Sequence, residues 1–297
     1  MNTISTAAAP ASLAQDRSVS ARDVVVASYK FAFGHAKGIL AAIGIPVGLA
    51  AVVLLILFKT YFSMLAFYLR SPDSRLASLT MSATVAGVLI WLLLNAIAST
   101  RLARYIGGET LRGWFDFQGM ARGARLYAAL LRYLLVNVVV AAMCVTLVSL
   151  ALQYLPPRDA LYASWLAQAS FAAFAILFWV RCGLLLPAVA VNERRLVLRR
   201  AWELSRGQFW KLAAVGIMVA VLPAVLPEAA GELLIWQFGP SAGQATAGAL
   251  AAAAAWLATD PLALATIVLS LSVSTALTVV LTTIGSHLAY RRLAGLL

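Results

Sequence analysis

Apolar residues along this chain fall into six long runs, at about 39–58, 79–98, 129–154, 164–186, 210–227 and 262–286. Charged segments alternate with them. Each run has the roughly 20 residues needed to cross ~30 Å of hydrocarbon as an α-helix. Helices of this kind satisfy their own backbone groups, which lipid cannot do. Pro223 and Pro227 shorten or kink the far end of the fifth run. The pattern predicts an all-α fold, a polytopic integral membrane protein with six transmembrane helices.

The connecting segments predict a second kind of element. Residues 22–37, RDVVVASYKFAFGHAK, are too short and too charged to span, and fit an interfacial helix. Comparable amphipathic helices are expected along the cytoplasmic face before the third and fifth spans. Residues 1–21 are rich in Ala, Ser and Thr and lack the apolar core of a signal peptide. They are expected to be a disordered cytoplasmic tail, with 22–297 forming one transmembrane domain. The connection 228–261 is expected to hold one or two short helices at the outer surface or partly re-entrant, with Trp236 and Trp256 at headgroup depth. A faint repeat places Tyr29 five residues before Gly34, as Trp202 stands five before Gly207.

Composition agrees with a bilayer solvent. The 297 residues are 63% hydrophobic and 11% charged, against about 45–50% and about 25% in soluble domains. A soluble enzyme, a secreted disulfide scaffold and a disordered chain are all excluded. The net charge of +12 would suggest nucleic acid in a soluble protein. Here its placement reads as topology, and no nucleic-acid partner is expected. Of the 23 basic residues 19 are Arg, a bias that fits a bacterial coding sequence.

Arg101, Arg104, Arg112, Arg122 and Arg125 lie between spans two and three. Arg194, Arg195, Arg199, Arg200, Arg206 and Lys211 lie between spans four and five. The opposite connections are poorer, with Lys59, Arg70, Arg75 and Arg158. The positive-inside rule then places both termini in the cytoplasm, and a bacterial inner membrane is the expected location.

Residue types that carry catalysis are sparse. No HExxH, CxxC, GxSxG or phosphate-cradling Gly-rich loop occurs. His35 and His287 read as headgroup-level residues. Cys144 and Cys182 fall at different depths and read as small apolar fillers. No cofactor and no metal are expected.

Arg181, in ILFWVRCGLLLP, stands inside an apolar run, where a charge costs roughly 2.5–3.5 kcal/mol at bilayer centre. It reads either as a snorkelling side chain or as an anchor for anionic lipid or a neighbouring helix, with Asn95 a possible neighbour. In the last run Ser270, Ser274, Thr278, Thr282 and Ser286 recur every fourth residue and share a helix face. Close helix packing and the lining of a substrate path are both compatible with that stripe. Asn137 in the third run reads as interhelical glue or, with the stripe, as part of a path. Gly44 and Gly48 form GxxxG around Pro46, a sign of a packing face.

The segment 198–212, LRRAWELSRGQFWKL, carries the most information. Arg195, Arg199, Glu203 and Arg206 fall on one arc of a helix, and Val197, Leu198, Ala201, Trp202, Leu204 and Phe209 on the other. It is expected to lie on the cytoplasmic face with Trp202 in the bilayer and Arg among phosphates, as an anchor or as a binder of anionic headgroups. Gly207 lets the chain turn before Phe209–Trp210–Lys211 start the fifth span.

LLLPAVAVNERR (184–195), LRRAWELSRGQFWKL (198–212) and the terminal AYRRL (289–293) together resemble the membrane domain of bacterial glycerophosphoryl diester phosphodiesterases and the YciC-like inner-membrane proteins. The resemblance covers roughly the last 110 residues, with Gln208 where that family usually has Asn. It implies a six-helix integral membrane protein. The phosphodiesterases' soluble catalytic barrel has no counterpart in these residues, so hydrolase activity is not implied. The expected function is therefore non-enzymatic, organising lipid or stabilising a larger membrane complex. The partners would be anionic lipids, with a membrane-protein partner or a homo-oligomer possible. The alternative is a transporter or channel for a lipid-like or small solute, which needs a polar cavity at the midplane.

Overall fold

The structure, a computed structural model, describes residues 20–70, 74–109, 117–154, 156–193, 197–221 and 259–295, with positions 223, 225, 256 and 257. Among the described residues all regular structure is helical and no strand occurs. The chain is a membrane protein: five helical segments are long and apolar enough to cross a bilayer, at Ala36–Met64, Ser82–Ile106, Gly119–Tyr154, Tyr162–Asn192 and Pro261–Leu293.

Helix α1 (Ala21–Gly34) starts at Ser20, whose hydroxyl accepts from the Asp23 amide. The chain passes through His35 into α2 (Ala36–Arg70), which carries Pro46 in its interior. Helices α3 (Ser74–Ile106) and α4 (Phe117–Tyr154) follow. Helix α5 (Pro157–Arg181) opens on proline, tolerated in the first turn because its missing N–H has no partner there anyway. It stops at Arg181 for a local reason. Pro187 cannot donate to the carbonyl four residues back, so the chain tightens into a 3₁₀ turn at Gly183–Leu185 and restarts as α6 (Leu186–Asn192). Helix α7 (Val197–Leu204) ends before Gly207, whose φ of 78° is open to glycine at no steric cost. Helix α8 (Phe209–Gly216) runs into a π-helical turn, Ile217–Val221. Helix α9 (Pro261–Leu293) begins at Asp260, whose carboxylate accepts from the amides of Leu262 (2.9 Å) and Ala263 (3.2 Å).

The buried core lies at one end of the helices. It joins Val180, Leu184–Leu186 and Ala188–Ala190 of the α5–α6 region to Val24, Leu126, Ala201, Leu212, Val215 and Tyr290. A second cluster links Ile39 and Ile43 of α2, Leu102 of α3 and Ile284 of α9. Away from this end many large apolar side chains face outward. Helix α4 has no buried side chain beyond Ala129, and Leu135, Met143, Val145, Leu147 and Leu152 are each at least 60% exposed. Soluble monomers rarely expose contiguous apolar patches beyond a few hundred Å², so this surface is one for lipid.

In the run 210–227 the described residues are helical from Phe209 to Val221 and at positions 223 and 225, while 222, 224, 226 and 227 lie outside them. Two expectations change. Among the described residues the stretch before the third span is continuous with it, because α4 runs unbroken from Phe117. Gly119 and Gly123 interrupt it too weakly, at about 1 kcal/mol each. The close helix approach does not use Gly44 and Gly48: a Cβ on Gly48 would meet nothing within 4 Å, and one on Gly44 only its own helix's Leu40. It uses Gly38, packed under Tyr105, and Gly87, packed under Leu57. The two glycines of the faint repeat differ in conformation, Gly207 left-handed and Gly34 helical. The tail 1–19 and most of 228–261 lie outside the described residues.

Candidate functional site

Glu193, just past α6, gathers four elements at the core end. Its Oε1 accepts from Arg200 Nε of α7 at 2.9 Å and from the Tyr290 hydroxyl of α9 at 3.2 Å. Its backbone carbonyl accepts from Arg125 Nη1 of α4 at 2.9 Å. Arg200 also stands 3.7 Å from Glu203, and the Glu193 carboxylate holds its guanidinium above its ordinary pKa. The local chain explains the position. Helix α6 is short, and Glu193 in an extended conformation turns the chain out of it toward α7. One layer deeper, the Ala188 amide donates to Ser286 Oγ at 3.2 Å, so α6 and α9 are also joined through buried backbone.

Next to this cluster, Arg181 ends α5, where a cation meets the negative end of the helix. Its guanidinium carbon lies 5.2 Å from the Trp202 ring centre and 6.0 Å from that of Phe209. Its Nε is buried and has no hydrogen-bond partner among the described residues. Trp202 is 42% exposed and Trp210 81%, so aromatic rings and cations share this surface. Asn95 is not the partner of Arg181; its amide donates to the Trp91 carbonyl of its own helix.

A second ion cluster closes α3 onto α4. Arg104 Nε lies 2.8 Å from Glu109, and Arg122 binds the same carboxylate. Burial raises the carboxyl pKa, but the guanidiniums of Arg122 and Arg104 outweigh it and hold Glu109 below its ordinary value. Arg292 approaches Asp23 of α1 at 3.7 Å. The ends of α3, α6 and α9 and the starts of α1, α4 and α7 therefore meet at one end of the protein.

The expected lipid-headgroup residues are divided. Arg195 lies outside the described residues. Arg199 is exposed and pairs with Glu203 at 3.0 Å. Arg206 and Lys211 are exposed and have no ion-pair partner among the described residues. The apolar face of α7 is not free for lipid. Val197 and Ala201 are buried against the protein's own core, and Trp202 is the one large apolar side chain of α7 that is exposed.

Hydroxyls of the α9 stripe bond backbone. Ser270 donates to Ile267, Thr282 to Thr278, and Ser274 to the Pro223 carbonyl at 2.9 Å. Asn137 donates to Tyr133, one turn back in its own helix. Beside the stripe, Thr283 Oγ1 and His287 Nδ1 are buried one turn apart on α9 without a partner among the described residues. His35 is exposed, with Nδ1 3.3 Å from the Phe31 carbonyl.

Glu193, Arg200, Tyr290 and Arg125 escaped the sequence reading. The signal was present in NERR and AYRR, two of the segments that carry the family resemblance. Their convergence was not, since 97 residues separate Glu193 from Tyr290. Cys144 and Cys182 are free thiols. Among the described residues no group of three His, Cys, Asp or Glu side chains could hold a metal ion. Chemically, the arrangement offers hydrogen-bonded cations and exposed indoles, a surface suited to holding anions next to apolar matter. No family model, no curated protein and no solved structure matches the chain.

Proposed function

We propose that this chain is a six-span bacterial inner-membrane protein that gathers anionic phospholipid at its basic end, and so organises lipid or supports a larger membrane assembly. The observation that carries the reading is Arg181 stacked on Trp202, with exposed Trp210 and the cations Arg206 and Lys211, which have no ion-pair partner among the described residues. Indole rings and cations in one layer match the headgroup region, where each Arg or Lys contributes about 1 kcal/mol toward an anionic surface.

Parity supports the sixth crossing. Glu193 is hydrogen-bonded to Tyr290, near the end of α9, while Pro261 begins that helix some 30 residues earlier. At 1.5 Å per residue, the chain between 193 and 261 has to travel the length of α9. The bond from Ser274, partway along α9, to the Pro223 carbonyl supports that path. Six crossings return the chain to its starting side, and the arginine-rich end is then cytoplasmic. In this reading α1 and α7 lie at the membrane surface while packing on the core.

The test is mild purification of the full chain from its native membrane, with mass spectrometry of the retained lipids. Anionic phospholipid should be enriched over the bulk membrane, and Arg181→Gln, Arg206→Gln and Lys211→Gln together should abolish the enrichment. Lipid of bulk composition in the native protein would overturn the reading. With Cys144 and Cys182 replaced by Ala, cysteines at Ser5 and Gly295 should label from the cytoplasm and one at Gln244 from outside. Opposite accessibility at any of them would remove the six-span topology.

A further inference from the structure

A lateral groove of about 390 Å³ opens between the α1–α2 corner and α9. Phe33, Leu40 and Ile43 form one wall, Leu277 and Leu281 the other, and Pro223 is part of the lining. Its lining is apolar apart from the Tyr29 hydroxyl, and that donates at 3.0 Å to the Met218 carbonyl in the π-helical turn. Phe33 and Leu40 are 77% and 70% exposed, so the described residues do not seal the groove. Both walls include helices that cross the membrane, which puts hydrocarbon against them.

The charges beside the groove select among lipids. Lys30 is one helical turn before Phe33 and Lys37 one turn before Leu40, close to the same faces. Both are exposed, and neither has an ion-pair partner among the described residues. They are two of only four lysines in the chain. Resting on the lipid-gathering reading above, we infer that this groove holds one acyl chain of an anionic phospholipid, with the lipid phosphate held by Lys30 and Lys37. The π-helical turn fits this role. Such turns break the regular carbonyl ladder, and Tyr29 satisfies the Met218 carbonyl, which keeps the lining dry.

The probe is phosphatidylglycerol carrying a photoactivatable group on its acyl chain, set against the matching phosphatidylcholine. The full chain is reconstituted in phosphatidylcholine nanodiscs containing a minor fraction of either probe, and crosslinks are mapped by mass spectrometry. The anionic probe should label Phe33, Leu40 and Leu277 several-fold more than the neutral one, while exposed Leu269 on the same helix should show no preference. Ala276→Trp, which fills the groove, should remove that labelling. Lys30→Gln with Lys37→Gln, two surface changes that leave packing intact, should make the two probes equal.

Three results overturn the inference. Labelling at the groove no greater than at Leu269 would mean ordinary lipid contact. Absence of labelling would mean that residues 224–258 or a second copy of the chain cover the groove. Unchanged preference in the double lysine variant would remove the phosphate contact. Peptides spanning 199–211 report separately: anionic preference there without preference in the groove sinks only this inference, and its loss at both places sinks the broader reading as well.

Discussion

Truncating Glu193 should loosen the core end of the protein without disturbing its spans. Glu193→Ala removes the acceptor for Arg200 Nε and for the Tyr290 hydroxyl, and leaves the Arg125 bond to the backbone carbonyl in place. Hydrogen bonds to charged groups contribute about 1.5–3 kcal/mol when buried. Here the Glu193 side chain is 24% exposed and that of Arg200 42%, and exposed pairs contribute about 0–1 kcal/mol. Arg200 also keeps Glu203 at 3.7 Å. The cost of Glu193→Ala is therefore about 1–2 kcal/mol. Glu193→Gln keeps a neutral acceptor and should cost roughly half as much, because neutral bonds are weaker than charge-assisted ones. Unfolding of the purified chain in mixed micelles, by titration with sodium dodecyl sulfate, reads the difference. A cycle with Tyr290→Phe isolates the hydroxyl bond and should give a coupling of about 0.5–1.5 kcal/mol. If Glu193→Ala falls within about 0.5 kcal/mol of the native chain, or the cycle is additive, Glu193 does not hold these elements together.

Trp179 is confined by two glycines: a Cβ on Gly216 would sit 2.6 Å from its ring and one on Gly183 2.8 Å. Gly216→Ala should therefore cost about 1–3 kcal/mol in the same assay, and Trp179→Leu should relieve most of it. Glu109 titrates below its ordinary value of 4.5 because Arg122 and Arg104 outweigh the effect of burial. The sign follows: its stabilisation is complete above that value and is lost as pH falls through the lower folded value. Thermal melts between about pH 6 and pH 3 should show this loss in the native chain and less of it in Glu109→Gln. Tyr29→Phe removes the bond to the Met218 carbonyl and should cost about 0.5–1.5 kcal/mol, read by faster amide exchange in residues 217–221.

Much of this protein was legible in its sequence, and the bilayer is the reason. A run of about 20 apolar residues specifies a spanning helix without any tertiary partner, since lipid solvates its sides and the backbone bonds within itself. Five of the runs accordingly recur as long helical segments, with ends up to ten residues from those expected. Local signals worked equally well where they act locally. Gly207 turns the chain at positive φ, where the sequence placed a turn. Tertiary structure decided which faces meet. Hydropathy does not encode how a helix is rotated about its axis, because an apolar side chain is equally at home against lipid and against another helix. Hence Gly44 and Gly48 face no partner while Gly38, Gly87 and Gly216 take the close contacts. The arc of α7 drawn for the bilayer rests instead on the core through Val197 and Ala201. For the same reason only the packed helices could bring Glu193, Arg200, Tyr290 and Arg125 together. Each is an ordinary charged or polar residue at a membrane boundary, and four helix rotations had to be fixed before they could form one cluster.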